Sequence, residues 1–177
     1  MFYLKLILLI ALAVAVEGFV PKYWEPFRYV DLPLLLTVYF GLMRDPVLGM
    51  LAGYAAGLCG DLAPGSGPII GVGGFSKTII GFLVASVAVR FSLEGPLVRV
   101  LVIALSSLVN SALYLGLNEL MDQNLTSETT TAQLAVKVAL EAAANLIFGV
   151  IAFWFFDKVF PENAPGGAMR VRRRFYD

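Results

Sequence analysis

Histidine is absent from the 177-residue chain, and cysteine occurs once, at Cys59. A lone cysteine excludes a disulfide within the chain, and without histidine no His/Cys metal cluster can be built. The same absences remove the usual nucleophile–base pairs, and the scattered Lys, Asp and Glu residues show no catalytic spacing. A non-enzyme with no cofactor and no metal is therefore expected. Charge is also scarce: charged residues make up 15% of the chain, and thirteen basic residues balance thirteen acidic ones. Bulk electrostatics thus names no partner, and no nucleic-acid partner is expected.

What the chain has in abundance is apolar surface. Hydrophobic residues make up 59% of it, and its mean hydropathy is +0.81, far outside the range of an ordinary soluble domain. The length suits one domain of about six spans at ~20 residues each. The apolar runs place those spans at about 4–20, 30–43, 46–62, 73–90, 97–117 and 132–156, within one transmembrane domain over 1–157. A basic tail, 158–177, follows. The expected fold class is an all-α polytopic membrane protein.

The chain is organised around RDPVLGMLAGYAAGLCGDLAPGSGPIIG, Arg44 to Gly71. Gly49, Gly53 and Gly57 recur every fourth residue, with Ala52, Ala56 and Gly60 beside them. A ladder of small residues on a membrane helix lets another backbone approach closely. Asp45 and Pro46 suit the N-cap and first turn, whereas Pro64, Gly65, Gly67 and Pro68 end the helix after Asp61. The next span repeats the spacing with Gly74, Thr78, Gly81 and Ala85, so the two spans are expected to pack on each other around the Asp61–Gly71 turn. Cys59, within the ladder, reads as a small packed thiol.

Other segments are less regular. Ala13-Val14-Ala15 resembles a signal-peptide cleavage site, but the weak basic start and the continuing Phe19-Val20-Pro21 favour an uncleaved first span. Ala11 and Ala15 offer that span a second close-packing face. Tyr23, Trp24, Phe27 and Tyr29 form a loop suited to the membrane interface. Asp31 or Leu32 caps the second span and Pro33 sits in its first turn; the span is short, or fails to cross completely. Glu94-Gly95-Pro96 separates the fourth and fifth spans, and Thr130 with Gln133 makes a capping box for the sixth.

With both termini cytoplasmic, Lys5, Arg44, Arg90, Arg99, Lys158 and the tail residues Arg170, Arg172, Arg173 and Arg174 lie inside, whereas only Lys22 and Arg28 lie outside. This agrees with the positive-inside rule. The tail arginines could meet anionic lipid or a cytoplasmic protein, or act only as topology determinants. Polar residues within the spans, Lys77, Asn110, Lys137, Glu141 and Asn145, collect toward the outer half. Lys137, Glu141 and Asn145 share one face, and Glu141 lies deep enough to need a partner: Lys137 one turn away, or Lys77 across helices. The bland reading is interhelical glue with a local ion pair; the sharper one is a small polar pocket open to the outside. Gly71-Val72-Gly73-Gly74 with Lys77-Thr78 does not complete a phosphate loop and reads as a helix entry.

These features resemble the MreD family of bacterial rod shape-determining membrane proteins over nearly the whole chain to about residue 157. The likeness rests on length and span count, Asp31-Leu32-Pro33-Leu34-Leu35-Leu36 starting the second span, the tight charged hairpin at Arg44, and the glycine-rich third helix ending in Gly60-Asp61-Leu62 before Gly71. The Pro64–Pro68 turn departs from the pattern by being longer, and Lys77 matches no family motif. The resemblance implies Asp31, Asp61 and Gly71 as motif residues and the bacterial inner membrane as location. It implies a place in the elongation machinery that builds lateral peptidoglycan, with MreC, MreB, RodA and its transpeptidase partner. It also implies a fold similar to the membrane substrate-binding component of energy-coupling-factor transporters. That likeness supplies the alternative, an outward-facing capture subunit for a vitamin-like small molecule.

Overall fold

The computed structural model describes residues 2–63, 69–91, 93, 95–121 and 131–161. Six helices follow one another: α1 (Phe2–Phe19), α2 (Leu32–Gly41), α3 (Pro46–Asp61), α4 (Val72–Arg90), α5 (Pro96–Leu120) and α6 (Thr131–Val159). Two short 3-10 segments, Val20–Lys22 and Glu25–Tyr29, join α1 to α2. The described residues contain no strand, and the all-α membrane class holds. Four helices, α1, α4, α5 and α6, are long and apolar enough to cross a membrane. The other two expected spans are shorter: ten residues of α2 rise ~15 Å and sixteen of α3 ~24 Å, against a hydrocarbon core of ~30 Å.

The short α2 is the pillar of the fold. It packs against each of the other five helices, and every residue from Pro33 to Gly41 is buried. A run as apolar as LPLLLTVYFG is suited to a helix surrounded by protein on all sides. Asp31 caps it, accepting from the Leu34 N–H at 2.8 Å, with Pro33 in the first turn. The turn into α3 puts Arg44 at φ +64°, a left-handed conformation uncommon for a side-chain-bearing residue. Asp45 then caps α3, accepting from the N–H groups of Val47 and Leu48, each at 3.0 Å.

Helices α3 and α4 run antiparallel in backbone contact. A Cβ on Gly49 would lie 2.6 Å from the Gly81 carbonyl oxygen, and one on Gly57 would lie 2.5 Å from the Gly73 carbonyl oxygen. A Cβ on Gly53 would strike the Lys77 carbonyl, and one on Gly81 the Gly49 carbonyl. The contact repeats each turn because all the partners lie on one face of their helix. A Cβ on Gly74 would lie 3.3 Å from the Leu58 backbone nitrogen, but Gly60 is not part of the contact. A side chain there would meet only Pro33 Cγ at an ordinary 3.5 Å, because Gly60 has rotated toward α2. Cys59 is exposed rather than packed, since it faces away from both α2 and α4.

Helix α1 turns a different face inward than its alanines indicated. Leu6, Leu9, Ile10 and Ala13 are buried, whereas Ala11 and Ala15 are exposed; the bulkier stripe removes more apolar surface from contact with the surroundings. The start of α1, the end of α2 and the end of α6 meet in a cluster of edge-to-face rings, Phe2, Phe40 and Phe160. Around Tyr39, Phe153 and Phe156 extend it. At the other end Phe27 is buried beneath Trp24 and against Phe148 of α6, so it belongs to the core, not to the interfacial loop. The Pro64–Pro68 turn, Glu94, Thr130 and the tail arginines fall outside the described residues.

Candidate functional site

At the end where α2 begins, five helices bring polar side chains to one level. Asp31 is at its centre. Its Oδ1 caps α2, and its Oδ2 lies 2.9 Å from Lys77 Nζ of α4. Asn110 of α5 donates to the same Oδ2 at 3.2 Å. The Asp31 backbone N–H donates to Asn145 Oδ1 of α6 at 2.8 Å, and Asn145 Nδ2 donates to Ser107 Oγ of α5 at 2.9 Å. Ser76 Oγ lies 3.1 Å from both the Gly73 carbonyl and Asn110 Oδ1. Apart from the Ser76–Gly73 bond, which turns back within α4, each bond links two different helices or closes a helix end, so the network fixes the relative position of α2, α4, α5 and α6. With side chains 10% and 22% exposed, the Lys77–Asp31 pair is largely shielded, and in a low-dielectric setting losing one partner costs more than the pair contributes.

Glu17 completes the level from α1. It interacts electrostatically with both Asp31 and Lys77, and its Oε2 is buried without a hydrogen-bond partner. Glu17 continues the buried stripe of Leu6, Ile10 and Ala13, a face that a run apolar all round does not single out in the sequence. Ser76, Ser107 and Ser111 also belong to the layer; hydroxyls among apolar neighbours can turn back onto their own helix, as Ser111 does toward the Ser107 carbonyl at 3.1 Å, so sequence alone did not distinguish them.

Asp61 has a separate task. Its Oδ2 accepts from the N–H groups of Gly71 at 2.7 Å, Gly73 at 3.0 Å and Gly74 at 3.2 Å. The last residue of α3 thereby caps the first turn of α4. Gly71 opens that turn at φ +105°, a conformation open to glycine, and a Cβ on Gly73 would collide with the Asp61 carboxylate.

Glu141 pairs elsewhere than Lys77. Lys77 is taken by Asp31, while Glu141 Oε2 accepts from Ser111 Oγ at 3.0 Å and Oε1 lies 3.8 Å from Lys137 Nζ. These side chains line a groove of about 370 Å³ between α5 and α6 with Asn110, Tyr114, Leu115, Leu134 and Val138. The Lys137 side chain is 67% exposed, so the groove opens on the flank of the bundle. Among the described residues, Tyr114 is its one aromatic wall.

At the opposite end a second polar contact ties three helices. Tyr39 of α2 donates to Asp157 Oδ1 at 3.1 Å, and Arg99 of α5 donates to Asp157 Oδ2 at 2.9 Å. Nothing in the spacing of these three residues, 39, 99 and 157, announces their meeting.

The family described as rod shape-determining protein MreD matches residues 1–159. No curated protein and no solved structure matches the chain.

Proposed function

The chain belongs to the MreD family of rod shape-determining membrane proteins, and we propose that it serves as a non-catalytic scaffold of the bacterial cell-elongation machinery. In this reading it sits in the inner membrane with both termini cytoplasmic and holds peptidoglycan synthesis to the lateral wall. MreC is its direct partner; MreB, RodA and the RodA-associated transpeptidase belong to the wider complex. Asp31, Asp61 and Gly71 maintain the fold that presents the partner surfaces.

The observation that carries the reading is the polar layer that joins the helices. Asp31, Lys77, Asn110, Asn145, Ser76 and Ser107 take up one another's hydrogen bonds across four helices. Such an arrangement suits a rigid support, since buried polar groups satisfied in this way favour one packing over others. The apolar flanks of α1, α5 and α6 are exposed, including Leu4, Leu8, Leu101, Leu105, Ile147 and Ile151, and they are available to lipid or to a partner's helix. The groove beside Glu141 favours a second reading, the capture of a vitamin-like molecule from outside. Its position on the flank of the bundle fits a sealed capture site less well.

Purification of the tagged protein from its native membrane separates the readings. Scaffolding predicts co-purification of a single-span protein with a large extracytoplasmic domain, and loss of rod shape on depletion. Recovery of a nucleotide-hydrolysing pair instead would reverse the order. Glu141→Gln at normal protein level is expected to leave shape unchanged under the scaffold reading.

A further inference from the structure

We propose that the groove between α5 and α6 beside Lys137 and Glu141 binds the zwitterionic headgroup of a phospholipid that carries a primary amine. Both side chains line the groove, one helical turn apart on α6. Their charged ends are 3.8 Å apart, an ion pair too long to be a hydrogen bond. Lys137 makes no hydrogen bond among the described residues, so all three of its N–H donors are open. Glu141 Oε2 accepts from Ser111 at 3.0 Å, whereas Oε1 accepts from no donor among the described residues. The groove therefore offers open donors and an open acceptor of opposite charge side by side, with Leu115, Leu134 and Val138 around them.

Depth narrows the class of ligand. The Lys158 ammonium lies 3.6 Å from the Trp154 ring centroid, and such a pair marks the membrane–water interface. From Lys158 back to Lys137, α6 rises ~32 Å, close to the ~30 Å of the hydrocarbon core. Lys137 thus lies at the opposite surface, where headgroups begin, with Glu141 ~6 Å further in along the helix. The groove opens on the flank of the bundle, and beside it Val136 and Leu140 are 58% and 44% exposed, so lipid reaches it sideways. Lys137 and Glu141 cancel in charge, which favours neither an anionic nor a cationic headgroup. A headgroup of both signs fits: its phosphate oxygens accept from Lys137 and its primary ammonium donates to Glu141 Oε1, each a charge-assisted hydrogen bond. A choline headgroup has the same phosphate but no N–H to donate, so the carboxylate discriminates between the two. The inference stands apart from the scaffold reading, since a bilayer lipid can fill the groove whichever partners assemble.

The full chain in detergent is titrated with phosphatidylethanolamine, phosphatidylcholine or phosphatidylglycerol of the same acyl chains, and retained lipid is counted by native mass spectrometry. Phosphatidylethanolamine should be held roughly tenfold more tightly than phosphatidylcholine, the worth of one hydrogen bond to a charged group. Glu141→Gln, which leaves Ser111 an acceptor, should remove most of that preference. Lys137→Gln should weaken retention of both lipids several-fold; the Lys137 side chain is 67% exposed, so this variant remains informative if Glu141→Gln fails to fold. Equal retention of phosphatidylethanolamine and phosphatidylcholine would overturn the proposal, as would phosphatidylglycerol held as firmly as phosphatidylethanolamine. So would an unchanged preference in folded Glu141→Gln protein, or unchanged retention in folded Lys137→Gln protein. Displacement of the lipid by an equal concentration of soluble phosphoethanolamine would assign the groove to a solute and overturn it equally.

Discussion

Adding one methyl group to Gly53 tests whether the small-residue ladder is the core of this protein or its partner interface. An ideal Cβ at position 53 strikes the Lys77 carbonyl, with the Lys77 carbonyl carbon at 2.7 Å and Thr37 Cγ2 at 3.0 Å. The first two atoms are backbone and cannot rotate away. To restore ordinary contact near 3.4 Å with the carbonyl oxygen, α3 and α4 must separate by roughly 1 Å, which forfeits a quarter to a half of the dispersion energy across the contact. For on the order of 40 atom pairs at 0.1–0.2 kcal/mol each, the loss is roughly 1–4 kcal/mol, in line with ~1–3 kcal/mol for overpacked cores. Alanine's helix-propensity advantage, about 1 kcal/mol in water, is smaller where the unfolded chain stays helical in lipid, so it does not reverse the sign. Gly53→Ala should lower the thermal midpoint of the purified monomer in detergent by about 5 °C, and Gly53→Leu by more. Gly116 of α5, around which an added Cβ meets nothing within 4 Å, is the control; Gly116→Ala should change stability by under about 0.5 kcal/mol. A Gly53→Leu monomer as stable as the parent that merely loses a partner would refute the reasoning.

Three more outcomes follow from the polar contacts. Lys77→Met strands the Asp31 carboxylate and should cost about 3 kcal/mol; adding Asp31→Asn, which keeps the α2 cap, should recover more than half in a double-mutant cycle on the same melting assay. Asp61→Ala removes the acceptor for three N–H groups at the start of α4 and should cost about 2 kcal/mol, with Asp61→Asn losing less; faster amide exchange confined to the first turn of α4 would confirm the location. Glu17→Leu removes a buried carboxyl oxygen that has no partner, so it should raise stability by about 1–3 kcal/mol, and a lower midpoint would mean that the carboxyl is bonded in the native membrane.

What the sequence revealed, and what it did not, follows from the range of each interaction. Helix existence and the α3–α4 pairing were legible because glycines every fourth residue specify a face without reference to anything distant. The polar layer was half legible. Lys77, Asn110, Glu141 and Asn145 stood out as polar residues in apolar runs, but their partners did not. Lys77 goes to Asp31, a residue that reads from sequence only as a cap, because one carboxylate there serves α2 with Oδ1 and α4 with Oδ2. Glu17 was hidden for another reason: at the end of a hydrophobic run it reads as a boundary, and only the buried stripe through Leu6, Ile10 and Ala13 turns it inward. Cys59 was misread because its neighbours in sequence are packed, whereas its own side chain lies a fraction of a turn off the contact face. The meeting of Tyr39, Arg99 and Asp157 depends on three helices arriving together, which no local pattern encodes.

The shortness of α2 ties these contacts into one scheme. A helix of ten residues cannot cross ~30 Å of hydrocarbon, so at least one of its ends, with its unpaired backbone groups, falls within the thickness of the membrane. Such ends are tolerated only where protein covers them. At the first end Asp31 supplies the cap, and its charge is then met by Lys77 and Asn110. Near the last end, Tyr39 anchors to the Asp157–Arg99 pair, and the left-handed Arg44 reverses the chain at once into α3. The two polar clusters, which share no residue, are thus consequences of one feature. A membrane bundle built around a helix too short to span gains from polar groups that cover its ends, and here the other helices are arranged to reach both. That gain explains why α4, α5 and α6 carry polar residues at the level of the α2 start, and why α5 and α6 also meet an ion pair at its far end.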